Sequence, residues 1–298
     1  MRLADLGELG LLAELERLGL VTGIEHDAAQ LSGGVVVTQD ALVEGVHFRL
    51  DWTSWRDLGY KAAAVNLSDL AASAAEPEAL IVSLGLRPDT EVARVLELYE
   101  GLAEAGVPVR GGDLTVADRV YLSVTAIGRS ERVPGRSGAR PGDRVVVTGP
   151  LGASAAGWRC LRDGVESPLV AAHRRPPIRL AEGRRLGAVA TALLDVSDGL
   201  AADAARIAER SGCRLVLELE RVPVAAGVAE VAERAGASVW ELAAGFGEDY
   251  ELLATVPEPV EGCVEIGRCE VGEGAVLLLG GRRVALRGHE HFLLTPPP

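Results

Sequence analysis

The stretch Gly34-Val35-Val36-Val37-Thr38-Gln39-Asp40 decides how the rest of the chain is read. Three consecutive valines bounded by glycine read as a buried strand that gives way to polar residues, with Asp40 just past its end. Residues 54–75 have helical character and carry Asn66-Leu67-Ser68-Asp69. Residues 79–86 read as a further strand, and 89–105 as a helix capped by Asp89. Residues 107–110 lead into a Gly111-Gly112 turn before Asp113, and 120–127 alternate as a strand. Strands interleaved with helices place the chain in the α/β class.

A polar stretch rich in Gly and Pro at residues 129–142 is the linker candidate. It divides the 298 residues into units of 1–137 and 138–298, in keeping with about 150 residues per domain. In the second unit, residues 143–148 form a strand leading into a glycine-rich turn and a helix. The α/β alternation continues to a hairpin around Gly280-Gly281. No internal repeat is visible. The first residues, Met1-Arg2-Leu3-Ala4-Asp5-Leu6-Gly7-Glu8, mix acids with leucines at helical spacing and read as an amphipathic helix, not as a signal peptide.

Apolar residues are 48% of the chain and charged residues 24%, a composition that builds a sizeable core and excludes disordered and coiled-coil classes. With 43 acidic against 30 basic residues, the net charge of -13 disfavours a nucleic-acid or anionic-membrane partner and suits divalent cations. No apolar run approaches the roughly 18 residues a membrane span needs. The four cysteines, at 160, 213, 263 and 269, form no C-x-x-C pair; reduced thiols and a cytoplasmic setting are expected. Lys61 is the only lysine. Its neighbours Gly59-Tyr60 and Ala62 exclude a Walker A loop, and a single lysine leaves no Tyr-x-x-x-Lys dehydrogenase pair. A lysine kept where every other cation is arginine reads either as chance or as a compact ammonium needed near Asp69.

Aspartates gather where α/β proteins place their sites. Asp27 lies in a loop, Asp40 and Asp113 follow strand or turn residues, and Asp195 and Asp198 flank a strand-to-helix junction. Each taken singly reads equally well as a cap or turn residue, Asp198 above all. Together they form a set that would repel itself unless it protonates or recruits cations. Mg²⁺ takes hard oxygen ligands and bridges phosphates, and Thr38, Gln39 and Ser197 add neutral oxygens. No nucleophile sits beside a base. The pattern fits a site that holds metal and polyphosphate and works by positioning and charge neutralisation.

Two further motifs point elsewhere. The run Val145-Val146-Val147-Thr148-Gly149-Pro150-Leu151-Gly152 resembles a dinucleotide-binding turn, which keeps an NAD(P)-dependent oxidoreductase as an alternative. His289 and His291 invite a zinc site but lack a third ligand in range, so a surface or packing role reads better. His47 either packs in its loop or contacts a substrate anion.

Taken together, several segments resemble the thiamine-monophosphate kinase family, within the superfamily of aminoimidazole ribonucleotide synthetase. They are Asp27-Ala28-Ala29, Thr38 through Phe48, Asn66 through Ala72, Gly111-Gly112-Asp113, Arg136 through Asp143, Asp195 through Leu200, and Gly247-Glu248-Asp249-Tyr250-Glu251. The resemblance covers nearly the whole chain. It implies a two-domain fold with an N-terminal unit for ATP, Mg²⁺ and dimerisation and a C-terminal α/β unit. It implies a homodimer that pairs N-terminal sheets, and a cleft where ATP phosphorylates thiamine monophosphate directly, with no phosphoenzyme. Other ATP-using enzymes of the superfamily and a non-catalytic nucleotide-binding protein stand as alternatives.

Carried over by position, Asp27, Thr38, Gln39, Asp40, Asp69, Asp113, Asp195 and Asp198 would surround Mg²⁺, with Asp40 and Asp113 the most critical. Tyr99, Gly112, Asp113, Arg136 and Ser197 would contact ATP, and His47, Glu248 and His289 would face the thiamine phosphate. Four positions depart from the family pattern. His26 replaces a carboxylate, Gln39 a Thr or Ser, and Leu114 a polar residue, while His289 stands where an aromatic is usual. An imidazole stacks less extensively than an indole, so weaker substrate affinity is expected from His289.

Overall fold

The computed structural model describes residues 2–23, 26–286 and 288. In chain order the first half comprises α1 (Leu3–Arg17), β1 (Ala29–Gln30), β2 (Val35–Val43), α2 (Trp55–Ala72) and β3 (Glu76–Leu86). It continues with α3 (Val92–Glu104), β4 (Val109–Val116) and β5 (Tyr121–Arg129). The second half opens with β6 (Arg144–Val147), α4 (Ala153–Arg162), α5 (Val170–Arg174), α6 (Leu180–Gly187) and β7 (Ala192–Asp195). After these come α7 (Leu200–Ser211), β8 (Arg214–Glu218), α8 (Val228–Ala235), β9 (Leu252–Val256) and β10 (Val264–Glu270). The hairpin β11 (Gly274–Leu279) and β12 (Arg282–Val284) closes the described fold.

Two sheets result. The first has the order β1-β2-β5-β3-β4, antiparallel except for the β3–β4 pair. The second has the order β12-β11-β8-β10-β6-β9-β7, antiparallel except for β8 and β11. The sequence expectation of mixed helices and sheets holds, with local differences. Asp40 lies inside β2, because the strand runs on to Val43. Asp113 lies inside β4, so Gly111-Gly112 is strand and not turn. A Cβ on Gly112 would stand 1.8 Å from the Val82 carbonyl oxygen, so glycine lets β4 approach β3. Asp89 pairs with Arg87 at 3.4 Å instead of capping α3, which begins after Glu91. Gly199, not Asp198, precedes the first residue of α7.

Helix α2 is the spine that positions the site. Ser54 caps it by accepting from the Asp57 N–H at 3.0 Å. Most of its residues from Leu58 onward are buried. Leu58, Leu67 and Leu70 pack under the first sheet with Val82, Leu84 and Leu122. Its last turn, Ala71 and Ala72, packs instead with Val146, Leu186 and Leu252 of the second half. Alanine lets both neighbours approach closely. Glycine does the same against α3: a Cβ on Gly59 would stand 1.9 Å from the Leu98 carbonyl oxygen, and one on Gly101 1.8 Å from that of Arg56.

That reciprocal contact predicts that Gly59→Ala must push α3 off α2, at a cost on the order of 1–3 kcal/mol. Urea unfolding measures the loss; an unchanged midpoint would show that the helices are not held at this distance.

Candidate active site

The motif Asn66-Leu67-Ser68-Asp69 places three polar side chains on the last turns of α2, and each holds a different segment. The Asn66 side chain accepts from the Asp40 N–H at 3.0 Å and donates to the Ala62 carbonyl at 2.9 Å, which fixes both its amide and β2. Ser68 donates to Asp195 at 2.6 Å, bridging to the end of β7. Asp69 accepts from Thr38 at 2.5 Å. One turn of helix therefore gathers β2 and β7 around a single point.

Asp27, Asp69 and Asp195 converge there, with one oxygen from each lying within 4.8 Å of the others. Asp40 shares the field of this cluster. Burial, then the charges of Asp27 and Asp198, push its pKa up to about 6. Burial and the Asp27 charge push Asp195 up to about 8 against the opposing Ser68 hydrogen bond. Burial and the charges of Asp40, Asp195 and Asp27 hold Asp69 well above the ordinary carboxylate range. Arg136 ion-pairs with Oδ1 of Asp27, while Asp27 Oδ2 is buried without a hydrogen-bond partner. An orphaned carboxylate oxygen among hard oxygen donors fits a Mg²⁺ ion better than it fits any protein partner.

The expected ligand set is split by strand alternation. Thr38 and Asp40 lie on the inner face of β2 with Val36 and Leu42. Gln39 points to the opposite face, where it accepts from Thr125 at 3.0 Å. Asp113 pairs in register with Ser83, Ser83 with Ser123, and Ser123 with Ala41, which puts it on that same outer face. It makes no ion pair among the described residues. Asp198 is paired with Arg206, which also reaches Asp203 at 2.9 Å. His26, standing where a carboxylate was expected, lies against Gly135 with Nδ1 buried and unpaired.

Beside the cluster, Gly247-Glu248-Asp249-Tyr250-Glu251 folds onto the β7–α7 junction. Ser197 accepts from the Glu248 N–H at 2.8 Å, and Val196 from the Tyr250 N–H at 3.0 Å. Glu248 and Tyr250 hold φ of 57° and 52°, a left-handed backbone that non-glycine residues adopt at a cost of about 1–3 kcal/mol each. Their acidic neighbours anchor the segment. Arg179 grips both oxygens of Glu251 at 2.6 and 2.8 Å, and Thr148 donates to it at 2.7 Å. Asp249 accepts from the N–H groups of Gly152 and Ser154 at 2.8 and 3.3 Å. Those are the amides that a dinucleotide pyrophosphate would require at the start of α4, so the NAD(P) alternative loses its binding turn.

Lys61 and His173 meet at Glu248 Oε2, at 3.1 and 3.2 Å. The lysine thus serves Glu248 and not Asp69, because a separation of eight residues puts the two about 12 Å apart along α2. Nδ1 of His47 accepts from the Val43 N–H at 3.1 Å, which leaves the proton of a neutral ring on Nε2. Tyr99 lines a separate cavity of about 400 Å³ with Ala103, Gly106 and Val107. His173 and Arg206 were not singled out in the sequence. The spacing of Arg206 from Asp203, three residues along one helix, was the available sign. His289 and His291 lie outside the described residues.

The family model for the AIR synthase related protein N-terminal domain matches residues 25–130, and that for the C-terminal domain residues 140–272. A thiamine-monophosphate kinase of Aquifex aeolicus is 36% identical, across 98% of this chain and 100% of its own. One from Methanopyrus kandleri is 38% identical, across 87% and 86%.

The chain belongs to the thiamine-monophosphate kinase family.

A solved structure described as AaThiL complexed with AMPPCP and TMP superposes with a TM-score of 0.90 at 35% identity, covering 98% of this chain and 99% of that one.

The cluster predicts a pH dependence of stability. Asp40 and Asp195 have folded pKa values raised above the unfolded value of about 4. Their contribution is full below about pH 4 and is lost as the pH rises through the folded values. The Tm of the metal-free protein therefore falls between about pH 5 and pH 8.5, Mg²⁺ restores it chiefly at the upper end, and Asp195→Asn flattens the profile. Scanning calorimetry across that range checks it; wild-type and Asp195→Asn profiles of the same shape would contradict it.

Proposed function

We propose that this protein transfers the γ-phosphoryl group of ATP to thiamine monophosphate, giving thiamine diphosphate and ADP. A phosphate oxygen of the acceptor attacks the γ-phosphorus, and the bond to the oxygen bridging the β- and γ-phosphorus breaks in line, with no phosphoenzyme. One observation carries this reading: acidic side chains from both halves of the chain meet beside Arg136. When bound, Mg²⁺ supplies the positive charge that lets two anionic phosphates approach. Asp27, Asp40, Asp69 and Asp195 would hold it, with Thr38 orienting Asp69.

The nucleotide is assigned to Arg136, Ser197 and the Gly112-Asp113 segment, with Tyr99 offering a ring face to the base. Arg136, now on Asp27, is free to turn to phosphate once a cation takes over that carboxylate. His47 is assigned to the acceptor phosphate. Glu248, with His289 from outside the described residues, suits the cationic thiazolium or the aminopyrimidine.

The assembly we propose is a homodimer formed through the outer face of the first sheet. That face carries Val37, Ala41 and Ile127, which no described helix covers. Gln39 and Asp113 lie on it, so their part in holding Mg²⁺ depends on that pairing, as does that of Asp198 on release from Arg206. The division into units 1–137 and 138–298 is proposed on the same footing, supported by the separate sheets. A cytoplasmic location is proposed from the unpaired cysteines; no described helix is long and apolar enough to cross a membrane.

Purified protein with ATP, Mg²⁺ and thiamine monophosphate should yield the diphosphate on chromatography. Asp40→Asn should lower kcat by roughly 100-fold or more while the fold persists by circular dichroism. Full turnover in that variant would move the metal elsewhere. For the assembly, light scattering should give twice the chain mass for the wild type and the chain mass for Ala41→Arg, which buries a cation on the outer face. A dimer that survives Ala41→Arg would place the interface on another surface.

A further inference from the structure

The one lysine of this chain is buried, at 4% exposure, in the middle of α2. Its ammonium reaches Glu248, 187 positions away in sequence, at 3.1 Å. His173 approaches the same carboxylate oxygen from α5, and Ser154 at the start of α4 holds His173 Nδ1 at 3.0 Å. Burial and the neighbouring Lys61 charge push the His173 pKa down to about 3, so a neutral ring stands beside Glu248 and the contact is not an ion pair. Burial opposes the charge on Glu248, yet Lys61 and His173 outweigh it and keep the carboxylate below its usual range. Glu248 still keeps 23% of its side-chain surface accessible, above a cavity of about 170 Å³ lined by Ser154, Ala172, Pro177 and Arg179. Both contacts engage Oε2.

We infer that Lys61, backed by His173, is a positioning residue that holds Glu248 at a fixed distance from the carboxylate cluster, and so sets where the cationic end of the acceptor sits. Helix α2 acts as a ruler: Lys61 at one end fixes Glu248, and Asp69, about 12 Å along the axis, fixes the phosphoryl end. A lysine suits this buried place because its slim stem needs less width than a planar guanidinium. This rests on the reading above in which Glu248 faces the thiamine phosphate.

Steady-state kinetics with thiamine monophosphate and ATP varied separately test it, alongside thermal melts. Glu248→Gln and Lys61→Met should each raise KM for thiamine monophosphate about tenfold and leave KM for ATP within about twofold. In the Glu248→Gln background, Lys61→Met should add no further rise, since it would act only through the lost carboxylate. Lys61→Arg, which keeps the charge and misplaces it, should raise the same KM about threefold, and it carries the test should the methionine variant fail to fold. If Glu248→Gln leaves KM unchanged, the assignment of Glu248 falls and this proposal with it. If Glu248→Gln acts but the Lys61 variants leave KM for thiamine monophosphate unchanged, raise both KM values alike, or add fully to Glu248→Gln, the positioning role alone is overturned.

Discussion

Everything in this site depends on holding like charges together out of water. Asp27, Asp40, Asp69 and Asp195 repel one another, and burial strengthens that repulsion by lowering the local dielectric. Hydrophobic packing elsewhere must hold them in place. It comes from α2, whose leucines sit under one sheet and whose last alanines sit against the other. Ser68 and Thr38 each give a carboxylate one hydrogen bond, enough to aim it and too little to neutralise it. The residual demand for positive charge is the functional property of the cleft.

A second constraint is backbone strain at Glu248 and Tyr250. Such conformations persist only where the surroundings over-determine them. Here the alternating residues of the motif do so: Asp249 caps α4, Glu251 is gripped by Arg179, and the N–H groups of Glu248 and Tyr250 bond back to the β7–α7 junction. The two anchoring acids leave Glu248 as the member of the motif that looks outward. Its neighbours are Lys61 and His173, so this carboxylate stays ionised without a metal.

The sequence shows these elements unevenly, for physical reasons. The valine run of β2 and the alanine-rich α2 are legible because apolar patterning is local. The Asn66-Ser68-Asp69 motif stands out by its residue types, but which strand each side chain holds depends on packing that no local pattern encodes. Strand alternation was the available clue that Gln39 could not share a face with Thr38 and Asp40; it was hidden by placing the end of β2 too early. Asp113 reads as a turn residue in the sequence because Gly-Gly usually breaks a strand, whereas here glycine serves the close approach of β4 to β3. The partner of Lys61 lies 187 positions away and comes only from tertiary structure.

The acceptor that this family acts on explains why the cleft needs two electrically different ends. A molecule with a cationic thiazolium ring and a phosphate is poorly served by a uniform field. In this chain, carboxylates that demand a cation sit at the Asp69 end of α2, and a carboxylate already served by an ammonium sits at the Lys61 end. Under the function proposed, the first would recruit external positive charge for phosphates, while the second would offer an oxygen to a ring. A single rigid helix separates them, so the spacing between the two functions is set by helical rise and not by the mobility of loops. Because α2 also carries the packing of both sheets, that spacing cannot relax without disturbing the core on either side.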